Sequence, residues 1–319
     1  MIHKERLFTP GSTQLLPAAQ LAISGASMHH RHRCLSRILQ QGARRSENII
    51  GTRNDCSVHQ IRNRRHGGRH FDLTSPGDRV ISAGKFGERW EQLARAFGCH
   101  MEVERAPYGE TVSPTRVREN LAPTHTVVYM QATESSTGVR HDVEGVARVL
   151  EGTNTLLVVG AIIGLGTTRF NIDGWGVDVI IGGSQKAVMI PPGLAYCAVS
   201  DRACKKWKGQ KIPGSVSICA RKEKMARKGS PRIHRQLPWL PALSAALDYL
   251  REQGGDLAAG RDLLISSAET SALMIRFGCR VALQCKIRRR SWAITKKQYR
   301  TPKEIVGTVK KSIAAMASR

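Results

Sequence analysis

Short runs of consecutive apolar residues alternate along this chain with stretches whose apolar residues recur every three or four positions. Val127-Val128-Tyr129-Met130, Leu156-Leu157-Val158-Val159 and Val177-Asp178-Val179-Ile180-Ile181 are of the first kind. Their β-branched, largely unalternated composition predicts strands buried on both faces, the last bounded by Gly176 and Gly182. The second kind predicts helices. Within Phe86–Gly98 the residues Trp90, Leu93, Ala94 and Phe97 share one face, and within Asp142–Glu151 so do Val143, Val146, Ala147 and Leu150, with Asp142 placed to cap the first turn. Leu240, Leu243, Leu247 and Leu250 mark a later helix. Strand and helix in alternation predict βαβ units, hence an α/β fold with a mostly parallel sheet flanked by helices. At 319 residues the chain has room for one large domain and one smaller one.

Charge changes this picture only locally. The formal net charge is +25, a value that by itself points to nucleic acid or an anionic surface. The excess is concentrated in three blocks. Residues 31–70 hold 10 basic and 2 acidic side chains, 202–235 hold 12 and 1, and 276–319 hold 13 and 1, so the rest of the chain is slightly acidic. The blocks lack apolar periodicity and carry few aromatic residues to stack on bases, which argues against a nucleic-acid partner. Six of the eight cysteines also lie in them, without CxxC or Cys/His spacing, so no metal is expected. The His29-His30-Arg31-His32-Arg33 cluster reads as a solvated loop. The longest apolar run, Leu156 to Leu165, is too short to span a bilayer, and Met1–Gly11 has no signal-peptide apolar region. No membrane association and a cytoplasmic location follow as expectations.

The candidate chemistry lies just past the third strand. Ile181-Gly182-Gly183-Ser184-Gln185-Lys186, followed by Pro191-Pro192-Gly193, puts Lys186 on the loop at that strand's carboxyl end. Ligands of open α/β sheets collect at this edge, and a lysine shielded from water there loses some of its basicity and becomes a nucleophile. A Schiff-base lysine and a solvated loop lysine both fit the spacing. Gly164-Leu165-Gly166 imitates a dinucleotide loop, but Arg169 stands where the third glycine would be.

Thr9-Pro10-Gly11, Ser82-Ala83-Gly84-Lys85-Phe86-Gly87-Glu88-Arg89-Trp90, Thr133-Glu134-Ser135-Ser136-Thr137-Gly138 and Gly183-Ser184-Gln185-Lys186 with Pro191-Pro192-Gly193 occur in a telling order. Together they resemble the class V aminotransferases, nearest to the alanine–glyoxylate and serine–glyoxylate branch, over about residues 5–30, 71–202 and 240–275. The resemblance implies a fold-type I large domain, a smaller C-terminal α+β domain that is truncated or scrambled here, and the cofactor pyridoxal 5'-phosphate. On this reading residues 1–30 form an N-terminal arm, 31–250 the cofactor-binding domain and 251–319 a remnant of the small domain. It further implies a homodimer that moves an amino group between an alanine- or serine-like amino acid and a glyoxylate-like 2-oxo acid. Lys186 would form the Schiff base and carry the proton between substrate and cofactor carbons. Phe86 takes the position of the aromatic that stacks on the pyridine ring, or else is a core residue of its helix. Ser135 and Gln185 would hydrogen-bond ring substituents or phosphate, or else make ordinary loop bonds.

Two departures from the resemblance bear on activity. An aspartate that keeps the pyridine nitrogen protonated is implied after Leu156–Val159, and Gly160 stands there. A charge-assisted bond of this kind is worth about 1.5–3 kcal/mol, so impaired transamination is expected, and an inactive relic is the alternative. A back-translation of His59–His70, read from its second base, also encodes TKSGTGAMEAA, similar to the family's phosphate-cradling turn. Lys211–Trp239 behaves alike from the third base. The first two basic blocks therefore read as aminotransferase sequence in a shifted frame, and the third does not resemble the family's small domain.

Overall fold

A computed structural model of the chain describes residues 12–25, 52, 56–60, 77–96, 98–166, 170–209 and 239–252. Thr9-Pro10-Gly11, the histidine cluster, most of block 31–70, the stretch 210–238 and everything after 252 lie outside the described residues, and with them the shifted-frame segments apart from a few residues. Among those described, the elements run α1 (Pro17–Ile23), β1 (Cys56–Gln60), β2 (Arg79–Ser82), α2 (Lys85–Ala96), β3 (Glu102–Arg105), α3 (Pro114–Glu119), β4 (Val127–Gln131), β5 (Thr133–Glu134) and β6 (Val139–Arg140). They continue with α4 (Val143–Val149), β7 (Leu156–Gly160), α5 (Ile172–Trp175), β8 (Val179–Gly183), β9 (Leu194–Val199), α6 (Asp201–Gly209) and α7 (Trp239–Glu252).

Seven strands form one sheet in the order β1-β9-β8-β7-β4-β2-β3, with β5 and β6 as a separate small hairpin. β2, β3, β4, β7 and β8 run parallel, and β9 and then β1 add antiparallel at one edge. Strand side chains alternate between two apolar layers. Val128, Met130, Leu157, Val159 and Ile180 face a core shared with Val117, Val146 and α7. Tyr129, Leu156, Val158, Val179 and Ile181 face Trp90 and Ala94 of α2 and Ala203 of α6. The unalternated strands of the sequence are thus buried on both faces because each face has its own helices. Leu240, Leu243, Leu247 and Leu250 are all buried, and α7 packs on α1, so residues 17–23 of the expected arm lie against the body of the protein.

Two expectations are corrected. The strand expected at 177–181 begins its ladder at Val179, because Asp178 spends its carboxylate on the Leu157 N–H (2.9 Å) and the Arg202 guanidinium (2.6 Å). The basic block at 202–235, read as aperiodic, opens as the helix α6. Ala203 is buried, and Lys206 Nζ donates to the Thr126 carbonyl at 2.9 Å, so its first charges close the amino-terminal edge of the sheet.

Candidate functional site

The opposite edge is where chemistry gathers. From β2 the chain crosses in one direction to β3, whereas from β4 it crosses in the other to β7 and β8. β2 and β4 are neighbours, so the connections diverge between them, and in open α/β sheets ligands collect at the carboxyl ends beside such a point. The loops after β2, β4, β7 and β8 all emerge on this edge. They carry Phe86, Ser135, Gly160 and the Gln185-Lys186 pair, so the topology brings every residue singled out by the sequence to one rim.

Phe86 is set there by Glu134. This carboxylate is fully buried and accepts from the backbone N–H groups of Phe86 (3.0 Å) and Gly87 (2.9 Å), fixing the first turn of α2 with a negative charge at its positive end. Gly84 makes the approach feasible, since a Cβ there would lie 2.5 Å from Ser136 Oγ and 2.6 Å from Glu134 Cγ. The Phe86 ring is half exposed, which places it on the rim rather than in the core. Ser136, not Ser135, makes the loop's bonds. It accepts from the Lys85 N–H at 2.9 Å and donates to Glu134 at 2.7 Å, leaving the half-buried Ser135 hydroxyl without a hydrogen bond among the described residues.

The lysine loop is held from both sides. Ser184 donates to the Pro191 carbonyl (2.8 Å) and accepts from the Leu194 N–H (3.2 Å), and Met189, at φ 55, donates its N–H to the Lys186 carbonyl (2.9 Å). From the arm, Thr13 donates its N–H to the Gln185 carbonyl (2.9 Å) and its hydroxyl to the Lys186 carbonyl (2.6 Å), and Leu16 N–H reaches the Met189 carbonyl (2.9 Å). Lys186 itself is half buried, and loss of hydration pushes its ammonium below the ordinary lysine pKa. The adjacent Gln185 Oε1 is buried without a hydrogen-bond partner among the described residues. An amine of reduced basicity therefore stands beside an acceptor that has no hydrogen bond among the described residues, a pairing that can take a ligand.

The sequence reading missed three residues. Glu134 and Thr13 serve the site through backbone groups and carry no spacing signal that would distinguish them. His141 donates its backbone N–H to the Ala132 carbonyl at 3.0 Å, and its ring is buried, so loss of hydration lowers its pKa. A lone histidine in a polar turn gives no hint of this.

A mostly parallel sheet covered by helices on both faces, with a half-buried lysine just past the carboxyl end of β8, is an α/β architecture of the class that takes ligands at that edge. A model of the aminotransferase class-V family matches residues 78–314, a span that includes the basic block at 202–235 and most of that at 276–319. The chain belongs to this family. It is 30% identical to the soluble hydrogenase 42 kDa subunit of Anabaena cylindrica over 80% of this chain and 68% of that protein. It is also 30% identical to the L-aspartate–glyoxylate aminotransferase of Paracoccus denitrificans over 67% of this chain, spanning 56% of that protein's length. An alanine–glyoxylate aminotransferase structure from Nostoc sp. superposes with a TM-score of 0.71 at 22% identity, over 82% of this chain and 73% of that one, and shows the same fold. Family members in general use pyridoxal phosphate. The residues present fit that group at the amine, at Gln185 and at the Phe86 rim. At the end of β7 they differ, because Gly160 brings no side chain. Among the described residues no helix is long and apolar enough to cross a membrane.

Proposed function

We infer that the chain is a pyridoxal phosphate-dependent aminotransferase that uses small amino acids of the alanine or serine type with a glyoxylate-like 2-oxo acid. The observation that carries this is the half-buried Lys186, whose pKa burial lowers, beside the buried Gln185 oxygen that has no hydrogen bond among the described residues, at the carboxyl edge of β8. When bound, the cofactor supplies an aldehyde and an electron-withdrawing ring. Lys186 would supply the amine for that aldehyde, and its lowered pKa would leave a larger neutral fraction available. With substrate at the site, the same amine would take a proton from the substrate's α carbon and return it elsewhere. Thr13 and Ser184 hold the lysine loop in register. Phe86 offers a ring face from the rim, and Gln185 and Ser135 offer acceptors and donors to the cofactor's polar substituents. Gly160 favours a slowed reaction, since nothing at that position can hold the ring nitrogen protonated. The family resemblance supports a homodimer as the working unit.

Mixing the purified chain with pyridoxal phosphate tests the reading. A visible absorbance band that borohydride fixes onto the Lys186 peptide, and that Lys186→Ala lacks, is the expected result. A wild-type chain that acquires no such band, or a band unaffected by Lys186→Ala, overturns it.

A further inference from the structure

The volume beside Gly160 is filled from the neighbouring strand. Gln131 and Gly160 are direct partners in the β4–β7 ladder, so side chains at these two positions rise from the same face of the sheet, the face covered by α2. A Cβ at residue 160 would lie 2.6–2.8 Å from three atoms of the Gln131 carboxamide. Glycine at 160 and a long amide at 131 are therefore one arrangement, because any side chain at 160 would first have to displace the amide.

That amide is fixed, and its orientation follows from its neighbours. It donates to the Gly160 carbonyl at 2.9 Å and accepts from Trp90 Nε1 at 2.7 Å. The indole is held in turn, buried against Tyr129 with ring centroids 5.1 Å apart, and an indole N–H can only donate. The amide oxygen must therefore face Trp90, and the NH2 end must face residue 160 at the carboxyl edge of the sheet. An amide nitrogen carries two hydrogens, of which one is spent on Gly160 among the described residues.

We propose that Gln131 is the partner of the cofactor's ring nitrogen, donating a hydrogen bond from the place where residue 160 contributes no side chain. This rests on the cofactor reading above. The chemical consequence differs in kind from that of a carboxylate. A carboxylate stabilises a protonated, cationic ring nitrogen, whereas an amide N–H donates into the lone pair of an unprotonated one. The ring then withdraws electrons less strongly, so Gln131 favours retention of the cofactor over rapid carbanion formation. Trp90 acts as a positioning residue, since it decides which end of the amide faces the edge.

The test is nitrogen NMR of the chain loaded with pyridoxal phosphate labelled at the ring nitrogen. In the wild type the resonance is expected at the position of an unprotonated, hydrogen-bonded nitrogen. Gln131→Leu should move it toward the unbonded position and weaken cofactor binding about 3–10-fold, the effect of one hydrogen bond. Gln131→Glu should move it toward the protonated position. If Gln131→Leu does not fold, as judged by circular dichroism, Gln131→Met and Gln131→Glu carry the comparison. A protonated resonance in the wild type, or no movement in folded variants that retain cofactor, overturns the proposal and leaves Lys186 chemistry untouched. A wild-type chain whose Lys186 is never fixed to the cofactor by borohydride overturns both readings together.

Discussion

Glu134→Ala is expected to cost about 3–5 kcal/mol of folding stability and to release Phe86 from the rim of the sheet. The carboxylate is fully buried and accepts from four donors: the backbone N–H groups of Phe86, Gly87 and Ser136 at 3.0, 2.9 and 3.2 Å, and Ser136 Oγ at 2.7 Å. Truncation leaves these donors facing a cavity. A buried donor without a partner costs about 1–3 kcal/mol, and Gly87 and Ser136 are the ones water reaches least well. The Phe86 N–H belongs to a half-exposed residue and recovers part of its bond from solvent. Loss of a negative charge at the start of α2 adds about 0.3–1 kcal/mol. Glu134→Gln keeps the shape and one acceptor oxygen, so roughly half the loss is expected. Urea titrations followed by far-ultraviolet circular dichroism and by tryptophan fluorescence measure both variants against wild type. An Ala variant that loses less than about 1 kcal/mol at an unchanged m value would refute the argument that Glu134 organises this turn.

Thr13→Val should remove the hydroxyl donated to the Lys186 carbonyl and lower the melting free energy by about 1 kcal/mol, with Thr13→Ser near wild type. A Val variant as stable as wild type counts against the arm as a clasp. Lys186 should react with an amine-selective acylating reagent with a half-maximum below the ordinary lysine value of 10.5, read by peptide mapping across a pH series. A half-maximum at or above that value contradicts the shielding argument. Burial raises the Cys197 thiol from 9.0 to about 12. The unfolded chain therefore loses this proton first, and stability should fall as pH rises between these values, by about 2–3 kcal/mol at pH 11. Cys197→Ala should flatten that part of the stability curve, and an unchanged slope would show that the loss has another source.

The layered core was legible because its signals are contiguous. Val127–Met130 and Leu156–Val159 announce doubly buried strands, and the Asp142 cap accepts the Gly145 N–H as its position implies. The position of Lys186 past the carboxyl end of a strand was legible for the same reason, since strand, glycines and lysine follow one another directly. Boundaries were less legible where a side chain substitutes for the ladder. Asp178 bonds the Leu157 N–H with its carboxylate, so composition alone extends the strand two residues too early. The helical start of the block at 202–235 was missed because charge dominates its composition. Arg202 and Lys206 are nevertheless turned inward onto Asp178 and the Thr126 carbonyl, which a count of charges cannot show.

The site's least legible feature is also the one with the sharpest chemical consequence. Read along the chain, Gly160 is a missing carboxylate and Gln131 is the polar last residue of a strand. Neither reading mentions the other, because a hairpin and a helix separate them in sequence. Only the parallel register, which sets 131 opposite 160, turns the loss of one side chain into room for another. The substitution then has a sign that absence alone would not give. An empty position would leave the ring nitrogen to water, whereas an amide oriented by Trp90 selects its unprotonated form. Gly160→Asp alone should therefore not restore a protonated nitrogen fully, since the new carboxylate must displace the Gln131 amide to reach its place. Paired with Gln131→Ala, which clears that volume, it should. If the single and double variants give the same ring-nitrogen resonance, the coupling between 131 and 160 is absent.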